Sequence, residues 1–409
     1  MQQHSGMLMT PRSAGNILII VQNLPVPFDR RVWQETNTLR RAGFDVAVIC
    51  PKSKTYTKSY ERLEGVDIYR YPLLIEADNS VVGYFLEFAY CWFATLWLAL
   101  KAYGRRPFHV IHACNPPDTY FAVALLFRPL GVRFVFDHHD LCPELYRSRY
   151  RTGEDFFTRL LRVFEWCSLK LADVTIATNE SYKQVEMKRA KKDPQTIFIV
   201  RNGPDKLRMS PVPPSPRLKA MNKCILCYVG SLNPQDGVDY LLRSLRYLLH
   251  DLKRSDFHCV IMGSGDSLQD LRDLAATLQL NGCVELTGFI PDEDLQANLA
   301  AADICVDPDP SSPLNDVSTW IKVMEYMAYA KPIVSFDLKE TRFSAGEAAM
   351  YVKPNGEPEF AQTIVQLMEQ PELRKKMGTY GRQRVEQELQ WTKVGPNLLA
   401  AYETLLAEK

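Results

Sequence analysis

Along most of the chain, short apolar and β-branched runs alternate with stretches whose apolar positions recur at helical spacing. The short runs predict strands at 17–22, 45–50, 66–71, 110–114, 134–137, 174–177 and 197–200, and again at 225–229, 258–262, 284–287, 304–307, 332–336 and 350–352. The 3.6-residue pattern predicts helices at 29–42, 156–171, 238–249, 268–278, 293–301, 319–330, 359–369 and 371–388. Apolar strands that alternate with helices imply parallel sheets covered on both faces.

Residues 204–223 interrupt the alternation. Prolines at 204, 211, 213, 214 and 216 give this stretch the composition of a semi-rigid connector. The expected architecture is α/β: two doubly wound, Rossmann-like domains, 1–205 and 224–389, linked by 206–223 and facing a central cleft. A length of 409 residues suits two domains of ordinary size. Ligands of such sheets bind beyond the carboxyl ends of the strands.

The segment 81–103 is aromatic-rich and mostly apolar. Glu87 interrupts it, and the clean run 88–100 is shorter than the ~20 residues a bilayer span needs. A buried core helix is the first expectation; peripheral contact with a membrane surface is the second. Residues 1–15 read as a polar lead-in without a signal-peptide core. Charge is balanced, 49 basic against 48 acidic residues, which argues against a nucleic-acid partner. The ten cysteines lie mostly in apolar runs without a second CxxC pair, as expected of free thiols in a reducing cytoplasm.

Chemistry concentrates at the ends of predicted strands. In NDVSTWIKVMEYMAYAKP, Asp316 or Ser318 can cap a helix that stops before Pro332. Backbone N–H groups at Ser318, Thr319 and Trp320 then suit a phosphate, and Glu325, two turns in, suits the two hydroxyls of a ribose. An ordinary capped helix with a solvated Glu325 is the competing reading. In YVGSLNPQDGV, Gly230 allows close backbone approach, and Ser231 follows it. MGSGD places Gly263 in a second tight turn, which alone is a weak signal. Neither a GxGxxG fingerprint nor a P-loop is present, so a nicotinamide oxidoreductase is disfavoured. In the first half, Asp29, Arg30 and Arg31 open a helix and are candidates for the acceptor or phosphate side. The loop DHHDLCPE carries His139 and Asp140 and suits a sugar. Adjacent histidines rarely share one ion, so no metal is expected there. Arg201, beside Asn202 and Gly203, is a phosphate clamp or a surface cation.

Taken in order, the segments HDLCPE, ADVTIATNE, VRNGPD, YVGSL, IMGSGD, LTGFIP, AADICVDP and KVMEYMAYAKPIV resemble a family-4 retaining glycosyltransferase of the GT-B fold. The resemblance is strongest to members that build bacterial exopolysaccharide or O-antigen units. It implies transfer of a hexosyl group from a nucleotide diphosphate sugar to a glycan or lipid-linked acceptor, with no divalent metal and no other cofactor. It implies that Glu325 holds the ribose and that the Ser318–Trp320 backbone holds the diphosphate. By the same likeness Gly263 and Ile290 line the nucleotide pocket, His139 and Asp140 contact the transferred sugar, and a final helix near 393–406 crosses back onto the first domain. Three positions depart from the pattern. Val317 stands where the first glutamate of a pair is expected, with Asp316 one place off; Ser231 replaces an arginine; Asp236 replaces a lysine. The last two remove cations that would stabilise the leaving diphosphate, so Lys322, Arg201 and one of Arg30 or Arg31 are expected to replace them. Those same losses make a catalytically weakened nucleotide-sugar-binding protein the alternative.

Overall fold

The computed structural model describes residues 15–74, 81–150, 153–204 and 210–407, with side chains left aside at 81, 82, 84 and 85. The polar lead-in therefore lies almost wholly outside the described residues. The first sheet contains β1 (Asn16–Ile20), β2 (Asp45–Pro51), β3 (Tyr60–Leu63), β4 (Val66–Tyr71), β5 (Val110–Cys114), β6 (Arg133–His138), β7 (Val174–Ala177) and β8 (Ile197–Ile199), in the order β3-β4-β2-β1-β5-β6-β7-β8. Successive side chains of a strand face opposite ways. Ile17 and Ile19 thus join one core, with the helices Arg30–Arg41 and Trp391–Ala407. Leu18 and Ile20 join another, with the helices Val81–Arg105, Phe121–Phe127 and Phe156–Leu171.

The second sheet contains β9 (Cys224–Val229), β10 (Phe257–Met262), β11 (Val284–Gly288), β12 (Ile304–Asp307), β13 (Ile333–Phe336) and β14 (Ala349–Val352), in the order β11-β10-β9-β12-β13-β14. The chain winds outward from β9 in one direction and then from β12 in the other. That reversal opens a crevice at the carboxyl ends of β9 and β12. In the first sheet the corresponding reversal lies between β1 and β5.

Four expectations change. The first sheet is not wholly parallel: β3 pairs antiparallel with β4 at its edge. The sequence YERL hid it, because only its outer residues are apolar or aromatic. The helix expected at 319–330 is shorter, Ile321–Ala328. The connector is not a free spacer: Pro216–Lys219 is a helical turn, Leu218 is fully buried, and the Ser215 N–H donates to the Ala297 carbonyl at 2.9 Å. The apolar segment is one helix, Val81–Arg105, with two characters. It buries Cys91, Thr95, Ala99 and Ala102, and it exposes Leu86, Phe93, Trp97 and Leu100. No helix of the described residues is long and apolar enough to cross a membrane. All ten cysteines are free, and eight are buried.

Candidate active site

The segments after β1, β6, β7 and β8 meet those after β10, β11, β12 and β13 across the cleft. Asp29 caps the helix Arg30–Arg41 by accepting from the Val32 N–H at 3.1 Å. One oxygen of its carboxylate is thereby held by the backbone. The next two residues diverge, as neighbours on a helix must. Arg31 turns inward and is 7% exposed; Arg30 reaches across the cleft and is 46% exposed.

Arg31 is the hub of a buried network. Its guanidinium donates to Asp137 Oδ1 at 3.0 Å, to the Val200 carbonyl at 2.8 Å and to Asn202 Oδ1 at 2.6 Å, and it pairs with Glu35 at 3.0 Å. Its Nε lies 2.8 Å from His139 Nε2, which also meets Asp137 Oδ2 at 2.6 Å. Behind them, His112 links Asp137 to the Tyr402 hydroxyl of the final helix. Burial alone would raise the Asp137 carboxyl, but Arg31 and His139 hold it well below the usual carboxylate range. Glu35 goes the other way: burial and the Asp137 charge push it well above. Glu35, Cys114, Asp137 and His139 bring ligand-type atoms within 4.8 Å of one another. Arg31 already contacts three of these four residues, so the cluster carries its own cation and is a poor fit for a metal ion.

His138, one residue before His139, faces the opposite side of the strand. It lies between Glu186 at 3.2 Å and Glu165 at 3.5 Å. The two histidines therefore serve different clusters. The His139–Asp140 turn is held by Asn115, whose Oδ1 accepts both backbone N–H groups at 2.6 and 3.1 Å. Desolvation raises the Asp140 carboxyl, against the pull of His139 and His138.

On the other side, Glu325 sits on the helix Ile321–Ala328, is 7% exposed, and is not a solvated residue. Arg30 Nη1 donates to its Oε1 at 3.1 Å, while Arg30 Nη2 donates to Asp292 at 3.1 Å. Asp292 directly follows the Ile290–Pro291 turn. The helix cap differs from the expectation. Trp320 is the cap residue, and no side chain caps the helix. Asp316 lies in a preceding 3-10 turn and accepts from Ser311, and Ser318 is buried with its hydroxyl on the Leu314 carbonyl at 2.8 Å. The Ser318 N–H is used by the Asn315 carbonyl, so it is not offered to a phosphate. The turn is also gripped from the opposite loops: Asn179 Nδ2 donates to the Val317 carbonyl at 2.8 Å and to Thr319 Oγ1 at 2.9 Å.

Two of the expected replacement cations are committed elsewhere. Lys322 is buried between Asp309 at 2.5 Å and Asp307 at 3.3 Å, beneath Tyr228 and Trp320. Burial opposes its charge, but Asp309, Asp307 and Asp236 together raise its pKa. Asp236, standing where a lysine was expected, thus faces a lysine supplied by the helix. Arg201 lies against Glu340 at 3.3 Å and over the Phe343 ring at 4.1 Å. It is an interface residue rather than a surface cation.

At both glycines the protein itself already demands the missing side chain. A Cβ on Gly263, whose φ is +146°, would lie 1.8 Å from the Gly230 carbonyl oxygen. Gly230 itself would bring a Cβ to 2.8 Å from the Tyr228 hydroxyl. Ser231 is exposed, and its carbonyl accepts from Tyr228 at 2.9 Å. Asn115, Asn179, Asp292 and Glu340 were not picked out from the sequence. The signal available was weak, a polar residue just past a predicted strand.

Two family models cover most of the chain: "Glycosyltransferase Family 4" matches residues 29–206, and "Glycosyl transferases group 1" matches 223–370. The chain belongs to glycosyltransferase family 4. This family-4 enzyme has the GT-B fold and uses a nucleotide-sugar donor. It is similar to an uncharacterised glycosyltransferase of Methanocaldococcus jannaschii, 22% identical over 86% of this chain and 88% of that one. The alpha-D-kanosaminyltransferase of Streptomyces kanamyceticus is 28% identical, but over 37% of this chain and 38% of its own length. Among solved structures, the sucrose-phosphate synthase of Thermosynechococcus elongatus superposes with a TM-score of 0.77 at 17% identity, covering 97% of this chain and 100% of that one. Anabaena HepE in complex with UDP-glucose gives 0.70 at 16% identity, over 96% and 100%.

Proposed function

We propose that this glycosyltransferase moves a hexosyl group to a glycan or lipid-linked acceptor with retention at the anomeric carbon, in cell-surface polysaccharide synthesis on the cytoplasmic side of a membrane. The observation that carries the donor half is Glu325. It is a nearly buried carboxylate at the cleft, on the helix that follows the diphosphate-type turn. Across the cleft it is met by Arg30, whose neighbour Arg31 touches His139. Asp137 is locked under Arg31, which withholds it as a carboxylate nucleophile. That favours attack by the acceptor hydroxyl on the face the phosphate leaves. Closure of the two sheets would keep water out. The Leu86–Leu100 stripe supports a lipid-linked acceptor, because it offers apolar contact beside the acceptor-side sheet.

No resident metal is needed in this reading, since a cationic side chain at the cleft and hydrogen bonds to the phosphates would supply the stabilisation. The test is a transfer assay with UDP-, GDP- and dTDP-hexoses and lipid extract, with product anomers assigned by NMR. Glu325→Ala is expected to weaken nucleotide binding by at least ~10-fold, and EDTA to leave turnover unchanged. An inverted product, or full affinity in Glu325→Ala, would overturn the reading. Binding of a nucleotide without transfer of any sugar would favour the weakened, regulatory alternative.

A further inference from the structure

Of the four cations that could replace those absent at Ser231 and Asp236, three are enclosed. Arg31 is 7% exposed and bound to Asp137 and Glu35; Lys322 is 7% exposed between two aspartates; Arg201 is 9% exposed against Glu340. Turning any of them toward a ligand would leave carboxylates buried without their partner, which costs several kcal/mol. Arg30 differs. Its side chain is 46% exposed, and it pairs with two carboxylates across the cleft, Glu325 and the 60%-exposed Asp292.

We infer that Arg30 is the cation that meets the leaving diphosphate, and that in the ligand-free enzyme it is parked on Glu325, where the donor's ribose must displace it. This rests on the reading of Glu325 as the ribose ligand. Glu325 lies four residues beyond Ile321, so about 6 Å separates it from the amino end of its helix. That distance is within the sweep of an arginine side chain anchored across the cleft. Ribose hydroxyls that donate to Glu325 remove one of the guanidinium's acceptors. The guanidinium then turns to the phosphates next to the ribose. When the bond from the anomeric carbon to the β-phosphate oxygen breaks, its electron pair stays on that oxygen. The acceptor oxygen forms the new bond and its proton passes to the departing phosphate. Arg30 compensates the charge that builds there, and bidentate geometry suits it better than lysine.

The arrangement has a signature that an ordinary interdomain ion pair lacks. Removing the guanidinium frees Glu325 for ribose but deprives the diphosphate of a partner. For whichever of UDP, GDP or dTDP binds the wild-type enzyme, Arg30→Ala should bind the bare nucleoside at least as tightly as wild type. It should bind the diphosphate more weakly, so that the diphosphate's advantage over its nucleoside shrinks by about 10-fold by calorimetry or ligand-observed NMR. Turnover should fall by about 10²-fold, the scale of losing one preorganised charge contact, and Arg30→Lys should recover part of it. An unchanged diphosphate-to-nucleoside ratio, or equal loss of both affinities, overturns the inference. Glu325→Ala separates the two levels. If it leaves nucleotide binding intact, the ribose reading fails and takes this one with it. If it abolishes binding while Arg30→Ala leaves the ratio untouched, only the role of Arg30 is lost.

Discussion

A single strand end carries two histidines with opposite fates. His139 joins the cleft network, whereas His138 is enclosed by Glu165 and Glu186. Burial disfavours a charged imidazole, but the hydrogen bond to Glu186 and the close contact and charge of Glu165 outweigh it and raise its pKa to about 10. An unfolded histidine titrates near ~6.5. Between these values the native state holds the extra proton, so stability falls as pH rises. The contribution is complete below pH ~6.5 and gone once pH passes through about 10. Urea unfolding at pH 7, 8.5 and 10 should show a loss on the order of a few kcal/mol that is reduced in His138→Gln. Equal slopes for the two proteins would refute it. At this scale the sequence was partly legible. Glu325 declared itself through its helix and its neighbours. The states of Arg31 and Lys322 did not, because they are set by other elements: Asp137 lies 106 residues from Arg31 along the chain, and Asp307 and Asp309 reach Lys322 from the preceding strand end.

Elements were easier to read than side chains, because periodicity is local. The β-branched strands and the long amphipathic helices followed from spacing alone. The polar edge strand β3 did not, since it has too few apolar positions to set a period, and the helix Phe121–Phe127 did not, since FAVALLF is apolar throughout and carries no period. The helix Val81–Arg105 shows what spacing alone leaves open. Burial on one side fits the core-helix reading, and exposure of Phe93 (65%) and Trp97 (69%) on the other gives the membrane-contact reading a surface on which it can be tested. Replacing these two residues with serine removes apolar area from a solvent-facing surface, so it should leave the melting temperature within a few degrees. Co-sedimentation with anionic vesicles should fall at least ~5-fold, given about 1.5–3 kcal/mol for each large apolar group withdrawn from water. Vesicle binding equal to wild type would mean the stripe does not touch lipid.

The whole molecule is tied together where the chain crosses between sheets twice. Gly203 packs against the second crossing so closely that a Cβ would lie 2.2 Å from the Leu389 carbonyl oxygen. The Trp391 N–H donates to the Pro204 carbonyl at 3.1 Å, and its indole N–H donates to Thr38 at 2.8 Å. Trp391→Ala removes a large buried side chain together with that hydrogen bond. It should cost about 3–5 kcal/mol in chemical unfolding. A cost below ~1 kcal/mol would show that the crossing is not part of the cooperative core. The proline-rich segment was legible as a connector, but the second half of it is packed onto the second sheet by Leu218, a contact that composition does not encode.

The final helix gives the first sheet Trp391, Val394, Leu398 and Tyr402, apolar surface that no earlier segment supplies. During synthesis the amino-terminal half emerges first, with the helix Arg30–Arg41 over part of that flank; the rest, around Val174 and Ile176 of β7, stays without its final cover until the second sheet has been translated. On a ribosome, then, the later domain can complete itself before the earlier one. A nascent chain halted ahead of Trp391 would display a sticky flank that chaperones are suited to shield.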